Sequence, residues 1–167
     1  MAVSIEDIKK LRAMTGAGLA DVKKALTEAE GDFDKAKELL RERGLAIAAK
    51  RSDRETSNGC VLVKKVNDFA AIIALKCETD FVANGADFIK LTSDILDAAI
   101  AAKAHTLDEV KTLKVGDADA QAAVTQRSGI TGEKMELDGY CVLEGDNIEV
   151  YDHMNKHTLC TCLLYTS

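Results

Sequence analysis

Apolar positions recur at helical spacing near the N-terminus and predict three short helices between residues 4 and 44. Ser4 and Asp7 are typical of a helix start, and Asp32 is placed to cap the third helix. The helices are expected to end near glycines, namely Gly16, Gly31 and Gly44. The predicted inward-facing stripes are Ile8 and Leu11, then Leu19, Val22, Ala25, Leu26 and Ala29, then Ala36, Leu39 and Leu40.

Residues 45–58 change in composition, from a helix-favouring start to a charged and polar stretch that predicts a linker. Two runs rich in β-branched and apolar residues follow at 60–66 and 69–77, joined by Asn67-Asp68, and they predict a β-hairpin. The second run is almost wholly apolar, so we expect both of its faces to be covered.

Helical patterns return after residue 85. The first is expected from about Ala86, with Phe88, Leu91, Ile95 and Ala99 on one face; Thr106 and Glu109 predict a capped second helix, and 118–126 a third. Runs at 139–145 and 148–154 predict another hairpin. The sequence therefore predicts an α+β fold, in which a helical module precedes an α+β core with an antiparallel sheet.

Composition narrows the function classes. The chain has 167 residues, of which 47% are hydrophobic and 30% charged, as in soluble globular proteins. Its formal net charge of −6 disfavours direct, phosphate-driven binding of nucleic acid. No apolar run approaches a membrane span, and the N-terminus lacks the core of an export signal, so a cytoplasmic protein without membrane contact is expected.

Candidate chemistry is sparse. Cys60, Cys77 and Cys141 are expected to serve as small apolar residues in or near strands. His153, His157, Cys160 and Cys162 lie close together in sequence, but no second pair flanks them at structural-zinc spacing, so neither metal nor cofactor is predicted. The glycines at 16–18 and at 129–132 lack the pattern of phosphate-binding loops. The chain has three His and many carboxylates, but the sequence alone singles out no arrangement of them for catalysis.

The stretch Thr79-Asp80-Phe81-Val82 joins the predicted buried strand to the helix near Ala86. A large apolar residue at such a joint has two possible roles. Thr79 or Asp80 caps a helical turn and Phe81 folds into the core as a hydrophobic staple, or Phe81 is offered to a partner. The residues alone favour the first role.

A resemblance changes that balance. LRAMTGAGLADVKKAL (11–26) and LKCETDFVAN (75–84) resemble the two signature segments of the bacterial elongation factor Ts family. TGEKMEL (131–137) and VYDHMNK (150–156) are similar to two further family segments. The resemblance implies a ubiquitin-associated-like three-helix module followed by an α+β core. It also implies a guanine-nucleotide exchange factor for the GTPase elongation factor Tu, in both its GDP-bound and nucleotide-free forms.

The resemblance also implies which residues touch that partner. The Asp80-Phe81 pair would enter the GTPase domain near its Mg²⁺ and phosphate site, with Phe81 as a wedge. The helical module would grip the GTPase elsewhere. By motif match, the expected contact residues are Thr79, Asp80, Phe81, Val82, Arg12, Leu19, Ala20, Lys23, Thr131, Gly132 and His153.

These observations divide the chain into a helical module with its linker at 1–54 and an incomplete core subdomain at 55–161. The final Cys-Leu-Leu-Tyr-Thr-Ser, 162–167, resembles the translation of an adapter used to prepare sequencing libraries, and we expect it to be non-native. The alternative function is a protein-binding module whose helices recognise ubiquitin-like or nascent-chain partners. An enzyme is the third alternative and would need a pocket with a perturbed titratable group.

Overall fold

The computed structural model describes residues 3–154 and 157–165 of the chain. The N-terminal helical module follows the predicted pattern closely. Ser4 accepts a hydrogen bond from the Asp7 amide, and the Asp32 carboxylate caps the third helix. Gly16 ends the first helix in the left-handed conformation, with φ of 69°. The three helices are α1 (Ile5–Thr15), α2 (Leu19–Glu28) and α3 (Phe33–Lys50).

The module has its own apolar core. Leu11, Val22 and Leu26 are fully buried, and each was on a predicted stripe. Leu19 was placed on the second stripe as well, but that placement is wrong, because Leu19 at the start of α2 is exposed. The predicted three-helix arrangement is therefore confirmed, whereas its ubiquitin-associated-like character stays a prediction.

The predicted end of the third helix at Gly44 is wrong, because α3 continues to Lys50. Gly44 is buried against Gly129, whose Cα lies 3.6 Å from where a Gly44 Cβ would stand. A Cβ on Gly129 would lie only 2.2 Å from the Gly44 Cα. Gly44 thus allows close packing of α3 against α7 and does not end the helix. This contact joins the module to the core.

A three-stranded antiparallel sheet forms the centre of the core, in the order β1-β2-β5. The predicted first hairpin is confirmed, since β1 pairs with β2 from Asn58↔Cys77 to Val66↔Phe69. The central strand β2 is mostly buried, in agreement with its apolar sequence. The sheet strands are β1 (Asn58–Val66), β2 (Phe69–Cys77) and β5 (Met135–Glu144).

The predicted second hairpin is wrong. The strand over 139–145 belongs to β5, which pairs with β2 rather than with the segment that follows it. The following strand, β6 (Ile148–Asp152), pairs instead with β7 (Cys160–Leu164). By pairing with β2, β5 satisfies the backbone hydrogen-bonding groups on the edge of β2 that faces away from β1. A local hairpin between β5 and the next segment would leave those groups without partners. The β6–β7 pair packs beside β1, where the Val61 amide donates to the His157 carbonyl at 2.7 Å.

Helices pack against the sheet as the apolar stripes predict. Phe88, Ile95 and Ala99 of α5 are buried in the same cluster as β2 residues. The capping box of Thr106 and Glu109 is present. The helix expected over 118–126 begins later and runs further, after a small hairpin that the sequence did not reveal. These elements are α4 (Asp80–Ala83), α5 (Ala86–Ala102), α6 (Leu107–Thr112), β3 (Lys114–Val115), β4 (Ala118–Asp119) and α7 (Ala120–Thr131).

Both cysteines of the first hairpin, Cys60 and Cys77, are buried as expected, whereas Cys141 in β5 is exposed. The predicted boundary at residue 161 falls inside β7. The proposed non-native segment 162–167 stays a prediction, and its last two residues, like residues 155–156, lie outside the described part of the chain.

Candidate functional site

Phe81 is the most exposed of the large hydrophobic residues in the described ranges, with 86% of its surface accessible. It lies on α4, a helical turn of four residues directly after β2. The interpretation from the residues alone, in which Phe81 folds into the core, is therefore wrong, and Phe81 is exposed as the resemblance implied. Apolar residues exposed to this degree on a structured turn are candidates for partner contact.

The turn that carries Phe81 is anchored on both sides of it. Thr79 caps α4, with its hydroxyl oxygen 3.4 Å from the Val82 amide, and the Ala83 amide donates to the Thr79 carbonyl at 3.1 Å. Ala83 is buried, and Val82 packs partly against the core. Phe81, like Asp80, is thus exposed on a turn that is attached through Val82 and Ala83. We call residues 78–85 the Phe81 turn.

A carboxylate from a distant segment holds the start of this turn. Glu133 accepts two hydrogen bonds from Thr79, one from its hydroxyl at 2.6 Å and one from its amide at 3.1 Å. Glu133 follows α7 directly, one residue beyond its C-cap. The contact therefore ties together the two family-like segments that contain TDFV and TGEK.

A second carboxylate makes the reciprocal contact. Glu78 accepts a hydrogen bond from the Lys134 amide at 2.6 Å and forms ion pairs with Arg54 and Arg51 at 3.3 and 3.6 Å. The hydrogen bond from Lys134, followed by the two guanidinium charges, lowers the pKa of Glu78 below its ordinary value. We call Glu78 and Glu133, with their partners Lys134 and Thr79, the carboxylate clasp.

Beside Phe81 lies an open groove of about 570 Å³. Arg127 forms part of its wall and donates to Asp87 at 3.0 Å. The lining residues are Asp80, Phe81, Val82, Asn84, Gly85, Arg127 and Thr131. The groove is therefore lined by five residues of the Phe81 turn and by two residues from the last part of α7.

Thr131 and Gly132 form the end of α7. Gly132 adopts the left-handed conformation, with φ of 73°, and its amide donates to the Ser128 carbonyl at 2.9 Å. The Thr131 hydroxyl donates back to the Arg127 carbonyl at 3.1 Å. Both residues are half-buried, and this geometry directs the chain so that Glu133 reaches Thr79.

The predicted contact residues of the helical module form a separate exposed set. Leu19 is 57% accessible, and Arg12, Ala20 and Lys23 are exposed as well. A Cβ on Gly16, in the turn between α1 and α2, would lie 3.7 Å from an Arg127 guanidinium nitrogen. Arg127 therefore lies close both to the groove beside Phe81 and to the turn between α1 and α2. We call Arg12, Leu19, Ala20 and Lys23 the module surface.

His153 is not brought into the groove beside Phe81. It is half-buried at the end of β6, where its Nδ1 lies 2.8 Å from the Tyr151 hydroxyl oxygen. Its proposed contact with a partner would need a surface beyond the Phe81 turn.

Burial makes several thiols poor nucleophiles and poor metal ligands. It raises the pKa of Cys60, Cys77 and Cys160 to about 11. Among residues 3–154 and 157–165, no group of three or more His, Cys, Asp or Glu side chains is arranged to hold a metal ion. No helix in these ranges is long and apolar enough to cross a membrane.

Sequence reasoning missed Glu78, Glu133 and Arg127. Glu133 stood inside the quoted TGEKMEL segment, and Glu78 stood beside TDFV. The available signal was that each carboxylate lies next to a segment expected at the same surface. Their reciprocal hydrogen bonds depend on a separation of more than fifty residues, which no local pattern encodes.

Comparison with known proteins gives a consistent result. A family model described as "Elongation factor TS" matches residues 78–166. Relatives named "Elongation factor Ts" include one from Bacteroides fragilis, 66% identical over 165 residues, covering 99% of this chain and 50% of the relative. One from Parabacteroides distasonis is 66% identical, covering 96% and 49%. One from Porphyromonas gingivalis is 51% identical, covering 92% and 56%. The chain spans about half the length of the curated relatives it matches.

Proposed function

This chain belongs to the elongation factor Ts family, and from that premise we propose that it is a guanine-nucleotide exchange factor for the translational GTPase elongation factor Tu. It binds the GDP-bound GTPase in the cytoplasm, promotes GDP release, and leaves when GTP binds. No covalent bond is made or broken, so the protein is a regulator rather than an enzyme, and it needs neither cofactor nor nucleic acid.

The observation that carries this proposal is the exposure of Phe81 on an attached turn. An aromatic side chain that is already exposed gives up few contacts within its own protein when it enters an apolar pocket of a partner. Because its backbone is held at Thr79 and Ala83, little ordering entropy opposes the contact. Phe81 therefore acts as the wedge.

Asp80 stands beside the wedge at the first position of α4, where a carboxylate also suits the helix N-terminus. In the proposed complex it disturbs polar contacts around the Mg²⁺ and phosphate of GDP. Thr79 and Val82 fix the turn from either side, and Thr131 and Gly132 border the same contact. His153 would touch the GTPase at a separate point.

The module surface contributes binding affinity for the GTPase and does not act on the nucleotide site. Leu19 offers apolar area, while Arg12 and Lys23 offer positive charge on a chain that is acidic as a whole. Ala20 is small and adds little area. These contacts would raise the affinity of the factor for the GTPase without touching the nucleotide.

The energies are of suitable size. A thousandfold acceleration of GDP release requires a barrier lower by about 4 kcal/mol. An aromatic anchor at the centre of an interface contributes about 2–4 kcal/mol. Coupling is reciprocal, so a factor that weakens GDP binding is itself weakened by GDP, which lets it dissociate when nucleotide returns.

The test is the release of a fluorescent GDP analogue from a bacterial elongation factor Tu, with this chain, with Phe81→Ala, and with neither. We expect faster release with the chain and little acceleration with Phe81→Ala. Because Phe81 is exposed, the variant should fold normally, and circular dichroism is the control. Acceleration that is the same for both chains would rule out the wedge. Binding without any acceleration would instead favour a binding module.

A further inference from the structure

Phe81 has almost no packing of its own to fix its direction. Its side chain is 86% accessible, so its position is set by the backbone of α4. A helix of four residues is too short to be stable alone. Whatever holds the start of α4 in place therefore also determines the backbone position from which the Phe81 side chain is presented.

Glu133 is the group best placed to do so. Its two oxygens take both donors of Thr79, the hydroxyl at 2.6 Å and the amide at 3.1 Å. Hydrogen bonds to an ionised carboxylate are stronger than neutral ones. Because the Thr79 hydroxyl donates its proton to Glu133, its oxygen lone pairs remain free to accept from the Val82 amide. The carboxylate thus orients the cap of the turn that presents Phe81.

Glu133 is itself fixed from behind. The Ser128 hydroxyl donates to the Glu133 carbonyl at 2.6 Å, and Ser128 is buried. The Glu133 amide donates to the Thr131 hydroxyl at 3.3 Å, and the left-handed Gly132 sets the direction of the chain. The side chain therefore reaches Thr79 from a rigid helix end rather than from a free loop.

We infer that Glu133 is a positioning residue for nucleotide release, acting through Thr79 to hold the Phe81 turn in its working orientation. The inference rests on the proposed exchange function. It gives Thr131 and Gly132 a second role, since they direct Glu133 as well as border the proposed contact. Glu78, which directly follows β2, completes the same clasp by accepting from the Lys134 amide.

The experiment compares Glu133→Ala with Glu133→Gln in the full chain. Glutamine keeps an oxygen that can accept from the Thr79 amide and an NH₂ that can donate to the Thr79 hydroxyl oxygen. Alanine keeps neither. Glu144→Ala is the matched control, because Glu144 is an exposed glutamate at the far end of β5, paired only with His105 among the described residues.

Two readouts separate the inference from the function on which it rests. Amide hydrogen exchange at residues 79–84 reports the order of the turn without any GTPase. Release of a fluorescent GDP analogue from elongation factor Tu reports its consequence. We expect Glu133→Ala to lose protection locally and to lower the acceleration about tenfold, equivalent to about 1.4 kcal/mol. Glu133→Gln and Glu144→Ala should stay within about threefold of the parent chain.

Each other outcome counts against a stated claim. If the parent chain accelerates release and Glu133→Ala accelerates it equally, the positioning role is wrong and the exchange function stands. Equal losses in Gln and Ala would mean that charge, not hydrogen bonding, matters, and would overturn the role as stated. If the parent chain never accelerates release, the exchange function fails, and the positioning role in release fails with it, whatever the local protection shows.

Discussion

The module surface and the Phe81 turn are both exposed, but different forces hold them in place. The residues of the module surface on α2, a helix of ten residues, are backed by fully buried Val22, Ala25 and Leu26. The Phe81 turn is backed by buried Ala83, by half-buried Val82 and by the carboxylate clasp. Apolar burial resists single polar changes and added salt, whereas charged hydrogen bonds depend on pH and on individual donors. If the proposed function is right, the surface that binds the GTPase would thus rest on an apolar core, and the turn that carries the wedge would rest largely on polar contacts.

The largest effect should come from removing the apolar support of α2. Leu26→Ala leaves a cavity in the small module core and should cost about 2–5 kcal/mol of unfolding free energy. Urea unfolding followed by circular dichroism measures it. Leu19→Ala on the same helix is the matched control, because Leu19 is exposed and its loss should cost little stability. Similar losses for both would contradict the assigned burial.

A somewhat smaller loss of stability should follow from forcing α3 and α7 apart where the helical module packs against the core. Gly129→Ala places a Cβ only 2.2 Å from the Gly44 Cα, so α3 and α7 must move apart. Overpacking of this kind costs about 1–3 kcal/mol. Gly31→Ala is a poor control because of its positive φ, so Ala123→Gly on α7 serves to measure helix propensity alone. Thermal unfolding that is unchanged by Gly129→Ala would exclude the close crossing.

Loss of the cap should weaken the Phe81 turn without unfolding the core. Thr79→Ala removes the cap of α4 and one of the two bonds to Glu133, at a cost of about 1 kcal/mol. Thr79→Ser keeps the hydroxyl and should restore most of the loss. Chemical denaturation measures stability, and local amide exchange shows whether the change is confined to residues 79–84. A Ser variant as unstable as the Ala variant would argue against the hydrogen bonds.

The smallest effect concerns pH. The pKa of Glu78 is lowered in the folded protein, chiefly by the Lys134 amide and then by Arg54 and Arg51. Its contribution to stability is therefore complete above about pH 5 and is lost as the pH falls through the lowered value. Glu78→Gln should flatten the acid side of the stability profile and leave its neutral part lower. An unchanged acid slope in thermal unfolding between neutral pH and pH 3 would contradict this role.

The accuracy of the sequence predictions follows the range of the interactions involved. The first β-hairpin and the helix caps at Ser4, Asp32 and Thr106 depend on neighbouring residues, and they were predicted correctly. The pairing of β5 with β2 and the passage of α3 through Gly44 depend on distant segments, and they were predicted wrongly. A local hairpin and a glycine stop are only the defaults when no tertiary partner competes.

The candidate site divides in the same way. Phe81 was found because its sequence motif is local and resembles that of a family, although the residues alone favoured burial. Its support by Glu133 could not be found, because 54 positions separate the two ends of that contact. The sequence motif was enough to pick out Phe81 as a candidate contact residue. The tertiary structure was needed to show that Glu133 and Thr79 support the turn that carries it.

The most direct test of the account is the dependence of the GDP release rate on factor concentration, measured with elongation factor Tu for the parent chain, Phe81→Ala and Lys23→Ala. We predict that Phe81→Ala lowers the maximal release rate, because the wedge acts on the bound complex. Lys23→Ala should raise the half-saturating concentration and leave the maximal rate unchanged, because the module surface only grips. A Phe81→Ala chain that reaches the parent's maximal rate at high concentration would contradict the account.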